Sequence, residues 1–235
     1  MIEIRIGPTE SLPIPRRPPA WHWRSRPVAV AGGPQVDPVL AEEALVAIHR
    51  QAAASENEVC GLLLGRIREW QGRYFPEVTA AVPGETAESG PAHVTFTGET
   101  WTRMLASVEE LHPREVVLGW YHSHPRMEVF LSEMDLSIHR QLFTQPWHLA
   151  MVINAQDQRF ALFSWQDGEI AAARQLSIVE GPGGGYRLEP TSQDHPFSYR
   201  LEPRSEAPLR ALALGAGALA AALALGALLL PRGRS

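Results

Sequence analysis

The segment Val116-Val117-Leu118-Gly119-Trp120-Tyr121-His122-Ser123-His124-Pro125 decides the reading of this chain. Its first six residues are apolar apart from a glycine and include β-branched and aromatic types, the composition of a buried strand. His122 and His124 follow one residue apart, so in extended geometry both imidazoles project from the same face. Pro125 has no N–H to offer a ladder and ends the strand. After ten intervening residues comes Asp135, three positions beyond Ser132, which reads as the N-cap of a helix; Ser132 and Asp135 together also have the spacing of a capping box. Two imidazole nitrogens and a carboxylate are a donor set of hydrolytic zinc sites, which keep a fourth position open. Such a site needs a base nearby. Glu58 immediately precedes the apolar run Val59–Leu64 and has a reason to sit at the mouth of a strand instead of in its core. Glu56, two residues earlier, is the competing candidate.

Working outward, Asp37 followed by Pro38 reads as an N-cap and first-turn proline, with Leu40, Ala41, Leu45 and Ile48 at helical spacing, so a helix is expected to about Ala53. Glu58 to Ile67 reads as a buried strand, Gln71-Gly72 as a turn, and Tyr74 to Val82 as the returning strand. A loop at Gly84 to Ala92 and a short strand at His93 to Phe96 precede a helix capped by Thr97 and running to Leu111. Beyond Asp135, Leu149–Ile153 and Phe160–Trp165 read as a hairpin, and Ile170 to Leu176 as a last strand. Strands and helices alternate without a glycine-rich phosphate loop or an internal repeat. The fold class expected is α/β, a mixed sheet flanked by helices.

The flanks differ in composition. Residues 1–34 form a Pro- and Arg-rich arm with the cluster Trp21, His22, Trp23, and residues 179–208, opening on Gly181-Pro182-Gly183-Gly184-Gly185, read as a flexible linker. Ala211 to Leu230 contains only Ala, Leu and Gly, with no polar face; twenty residues of helix span about 30 Å, the thickness of a bilayer core. A transmembrane helix is therefore expected at 209–231, ahead of a basic tail at 232–235, with 35–178 as the main domain. Arginines lie on both sides of the apolar segment, so charge does not orient it; Met1 to Pro19 lacks the apolar core of a signal peptide. The expectation is a single-pass tail anchor with the domain in the cytoplasm. The 21 Lys and Arg against 26 Asp and Glu, for a net charge of −5, offer no basic surface for nucleic acid. Cys60 is the one cysteine of the 235 residues, so no internal disulfide forms.

Taken together, Glu58-Val59-Cys60-Gly61-Leu62-Leu63-Leu64-Gly65, then Gly119-Trp120-Tyr121-His122-Ser123-His124-Pro125, then Ser132 and Asp135, resemble the JAMM (MPN-plus, JAB-domain) zinc metallopeptidases over roughly Val28 to Leu176. The resemblance implies a JAB/MPN cytidine-deaminase-like sandwich, one Zn2+ held by His122, His124 and Asp135, Glu58 as general base and proton shuttle, and Ser132 as a donor to the oxyanion. It also implies a substrate class, the bond after the C-terminal Gly-Gly tail of a ubiquitin-like or sulfur-carrier protein. Two other readings remain open: a silent scaffold of the MPN-minus type, against which the retained ligand set argues, and a zinc hydrolase of a small amide or peptide. Cys60, inside an apolar strand, reads as an inert core thiol and not as a nucleophile. His139 reads either as a support for a metal ligand or as a packing residue, and Ser123 as a polar spacer.

Overall fold

The computed structural model describes residues 36–84, 98–173, 175–180, 185–192 and 197–203. Three helices and ten strands lie among them: β1 (Val39–Ala41), α1 (Glu42–Ala53), β2 (Cys60–Trp70), β3 (Arg73–Pro83), α2 (Gly98–Leu111), β4 (Val116–His124), α3 (Glu133–Leu142), β5 (Leu149–Asn154), β6 (Arg159–Gln166), β7 (Glu169–Ala172), β8 (Ser177–Val179), β9 (Tyr186–Ser192) and β10 (Ser198–Pro203). The strands form one mixed sheet in the order β8-β1-β3-β2-β4-β5-β6-β10-β9, with β7 also paired to β6. The expected class, a mixed sheet flanked by helices, is what the chain adopts. No helix among the described residues is long and apolar enough to cross a membrane, and the expected span at 209–231 lies outside them. So do the arm at 1–34, the strand expected at His93 to Phe96 and the cap Thr97.

Apolar residues alternate along the central strands and build a core on each face. Leu63 of β2 joins Leu45 and Ile48 of α1, Met151 and Ile153 of β5, and Tyr199 of β10. Leu62 and Leu64 point the other way, onto Trp101 and Met104 of α2, Trp120 of β4 and Phe143 just after α3. That second face carries the site. Alternation alone does not put Trp120 there. Val117 and Trp120 share this core although they are an odd number of residues apart. A register shift makes this possible: Leu63 pairs with Gly119 and Leu64 with Val117, leaving Leu118 as the extra residue of a bulge that turns into the opposite core. Since a one-residue slip exchanges the two faces of a strand, the bulge sets which face His122 and His124 occupy.

Three expectations are corrected. The first helix starts at Glu42, with Ala41 at its N-cap and no side-chain cap. Asp37 instead accepts from Arg73 Nε at 2.7 Å, and Val39 and Leu40 are drawn into a parallel strand between β3 and β8, because pairing satisfies backbone groups that a helix N-terminus would leave open. The strand expected from Ile170 to Leu176 is shorter: β7 ends at Ala172, and the next strand, β8, starts only at Ser177 on the far edge of the sheet.

The third correction concerns the expected linker at 179–208, which contains the β9–β10 hairpin. β10 pairs with β6 at Phe160 and Arg159, and its Tyr199 and Leu201 are buried, the Tyr199 ring centroid 5.9 Å from that of Phe160. Gly185 N–H donates to Glu42 Oε1 at 2.8 Å, tying the hairpin to the start of α1. The polar residues of the hairpin hid its three buried apolar side chains, Tyr186, Tyr199 and Leu201, which dock it together with the partly buried Leu188. Tyr199→Ala is expected to cost about 3 kcal/mol, seen in thermal unfolding as a Tm lower by about 6–12 °C; an unchanged Tm would mean that the hairpin rests on the domain without stabilising it.

Candidate metal centre

The site is assembled from β4, the loop after it and α3. β4 continues through His124, paired in parallel with β5 so that His122 lies beside Val152 and His124 beside Asn154. Both imidazoles leave the same face, as the spacing requires, and their Nε2 atoms are 3.1 Å apart. α3 brings the third group: Asp135 Oδ2 lies 3.7 Å from His122 Nε2. One donor atom from each of His122, His124 and Asp135 falls within 4.8 Å of the others.

Each donor is oriented by a different device. For His124, Nδ1 lies 2.6 Å from the Glu128 carbonyl. That oxygen only accepts, so Nδ1 carries a proton, and Nε2, the atom that faces His122, is the nitrogen with a lone pair to offer in the neutral ring. The loop supplying this carbonyl is itself held: Asn154 Nδ2 donates to Met127 O at 2.9 Å, Ala155 N–H donates to His124 O at 2.9 Å, and Arg159 pairs with the Glu128 carboxylate at 3.0 Å. Asp135 is fixed by the capping box. Its Oδ2 accepts from Ser132 N–H at 2.7 Å and from Ser132 Oγ at 2.6 Å, while Asp135 N–H donates back to Ser132 Oγ at 3.2 Å. The hydroxyl proton of Ser132 is thus directed at the carboxylate. His122 is fully enclosed, and burial, reinforced by His124 and opposed by Asp135, holds its pKa below the ordinary histidine value. A neutral imidazole is the form that ligates a metal.

These residues fit a zinc ion. The His124 Nε2 lone pair, a second imidazole nitrogen at 3.1 Å and a carboxylate oxygen converge where a divalent cation would relieve the crowding of acceptors, and two nitrogens with one carboxylate suit zinc.

Glu58 is buried, at 5% exposure, whereas Glu56 is exposed in the preceding turn. The two carboxylates thus differ in burial, and Glu58 is the one enclosed beside the histidine strand. Cys60 pairs with His122 in the ladder, and Val59 is bonded to Ser123 twice, its carbonyl accepting from Ser123 N–H at 2.8 Å and its N–H donating to Ser123 Oγ at 3.0 Å. Continuing that register sets Glu58 opposite His124 and, by the period of two, on the face that carries both histidines. Ser123 is therefore more than a spacer: fully buried, it clamps the residue next to Glu58. The Cys60 thiol is pushed up to about 12 by burial and by the Glu58 charge, which keeps it un-ionised at neutral pH.

Ser132→Ala removes the cap and the donor to Asp135 together. It is expected to cost about 1 kcal/mol of stability and roughly tenfold in zinc affinity, with Ser132→Thr keeping most of both. Thermal unfolding and chelator competition read the two losses separately.

Residues 35–145 match the family described as JAB1/Mov34/MPN/PAD-1 ubiquitin protease. This segment is a JAB/MPN domain. The three donor side chains and Glu58 all fall inside the JAB/MPN match, whereas β5 to β10 follow it in the sequence. A curated relative, NAD(+) hydrolase TcpA of Theionarchaea archaeon (strain DG-70-1), is 31% identical over 108 residues, which are 46% of this chain; the chain spans about 30% of that relative's length. Among solved structures, protein DSY2949 of Desulfitobacterium hafniense is similar with a TM-score of 0.48 and 21% identity, over 61% of this chain and 94% of that one.

Spacing alone singled out the three groups that the structure brings together. It missed the supports, Glu128 O, Asn154 and Trp120. Trp120 carried a signal, since it precedes His122 by two residues on the same face. A backbone carbonyl and a contact between β5 and a distant loop carry none.

Proposed function

We propose that this chain is a zinc-dependent peptidase of the JAMM type that hydrolyses the bond following the C-terminal Gly-Gly tail of a ubiquitin-like or sulfur-carrier protein. The observation that supports it most is the convergence of His122, His124 and Asp135 within 4.8 Å in a JAB/MPN domain that buries Glu58 two residues before Cys60, the ladder partner of His122. When bound, zinc would supply Lewis acidity at the scissile carbonyl and acidify a water beside it. Glu58 takes the proton of the attacking water and delivers it to the leaving amine, acting first as base and then as acid. Ser132 Oγ–H, held on Asp135 before substrate arrives, turns to the carbonyl oxygen as negative charge develops there. A tail ending in Gly-Gly suits a site between a strand end and a helix, because without side chains the peptide approaches closely and binds through its backbone. The apolar segment Ala211–Leu230 supports a tail anchor that would hold this activity at a membrane, with the domain on the cytoplasmic side.

The test uses the full chain in detergent micelles, one zinc per chain, and a panel of ubiquitin-like and sulfur-carrier fusions with a reporter after Gly-Gly. Cleavage directly after Gly-Gly that stops with chelator and returns with zinc is the expected result. A folded, zinc-loaded chain that cuts none of them overturns the substrate class. NAD(+), named for the archaeal relative, belongs in the same assay as a competing substrate. Recovery of the chain with a membrane fraction, lost on deleting 209–235, checks the anchor.

A further inference from the structure

His122 and His124 are oriented unequally. His124 donates Nδ1–H to the Glu128 carbonyl, the usual way in which a metal-binding histidine is fixed, whereas His122 Nδ1 is buried with no hydrogen-bond partner among the described residues. What holds the His122 ring is a face. The Trp120 indole lies stacked on it, with centroids 4.9 Å apart and planes inclined by 17°. A stacked ring orients its neighbour only if it is itself prevented from turning.

That constraint comes from α3. Trp120 Nε1–H donates to His139 Nδ1 at 3.2 Å, and His139 is fully buried one turn beyond Asp135. Phe143, at the end of the same helix, stacks on both partners, 6.2 Å from Trp120 at 19° and 5.6 Å from His139 at 18°. A residue present for packing alone would need no acceptor aimed at the indole. An indole N–H buried without an acceptor is unfavourable, so its bond to His139 selects one orientation of the ring.

We propose that His139 is a positioning residue of the metal centre: by accepting the Trp120 N–H it locks the ring against which His122 is stacked, so that α3 sets Asp135 directly and His122 through Trp120. The inference rests on the metal-site reading above and not on any substrate. It makes the angle between two donors, one on β4 and one on α3, depend on a single helix position.

Zinc affinity of the full chain, by competition with a chromophoric chelator, and the visible absorption of the cobalt-substituted chain test it, with circular dichroism as the control for folding. His139→Leu is expected to weaken zinc binding by about 10- to 100-fold and to alter the cobalt bands. His139→Asn, which restores an acceptor near the Nδ1 position, recovers most of the loss. Trp120→Phe keeps a ring but removes the donor, and its loss should not add to that of His139→Leu in the double variant. A folded His139→Leu chain with wild-type affinity and spectrum overturns the proposal, as do additive losses. Where His139→Leu does not fold, Trp120→Phe with wild-type values overturns it. A wild-type chain that binds no zinc overturns the site reading and this inference with it; zinc bound normally with no effect of these substitutions overturns the inference alone.

Discussion

Glu58→Gln is expected to lower kcat by about 10²- to 10⁴-fold while the chain keeps its zinc. Glutamine has nearly the shape of glutamate but cannot take a proton from water, and Glu58 stands outside the three converging donors. Its burial at 5% exposure places it where bulk water cannot replace it as a base. The measurement pairs kcat on a Gly-Gly fusion with metal analysis of the same sample. Activity and zinc lost in proportion would make Glu58 a support of the metal; activity retained would remove it from the reaction.

Gly119→Ala is the second large effect, and it acts through the sheet. A Cβ at Gly119 would lie 1.9 Å from the Leu149 carbonyl oxygen and 2.7 Å from its carbon. These are backbone atoms of β5, so no side chain can swing away; the parallel β4–β5 pair must separate where it begins. A loss of about 3 kcal/mol or more is expected, with Tm falling by about 6–12 °C. Zinc affinity should fall as well, because His122 and His124 stand in the same ladder, beside Val152 and Asn154. Gly72 gives the contrast: at φ 72° but with open space around it, Gly72→Ala is expected to cost about 1 kcal/mol and to leave zinc binding unchanged. Thermal unfolding and chelator competition on both variants separate overlap from backbone preference.

The convergence of His122, His124 and Asp135 was legible because strand and helix periodicities are local. Two histidines one residue apart in a strand must share a face, and a Ser132–Asp135 cap must bring that carboxylate to the start of α3; the capping box is present. The Gln71-Gly72 turn was legible for the same reason, its two residues at φ 51° and 72° being the left-handed pair that a tight hairpin needs. The first helix was misread at its start because an Asp-Pro pair suits both a helix N-terminus and an extended approach. The partner Arg73 that engages Asp37 is 36 residues away.

Which groups could meet a metal was readable from local pattern, since each was specified by its own strand or helix. Tertiary structure decided the rest: the bulge at Leu118, which follows from packing on both sides of β4 at once; the docking of β9–β10 through apolar side chains in a polar stretch; and the supports of the donors, Glu128 O on His124 and Trp120 with His139 behind His122. Those contacts join residues whose relative position no local period encodes. They exist only once burial has closed the second core and left each enclosed polar group to find a partner.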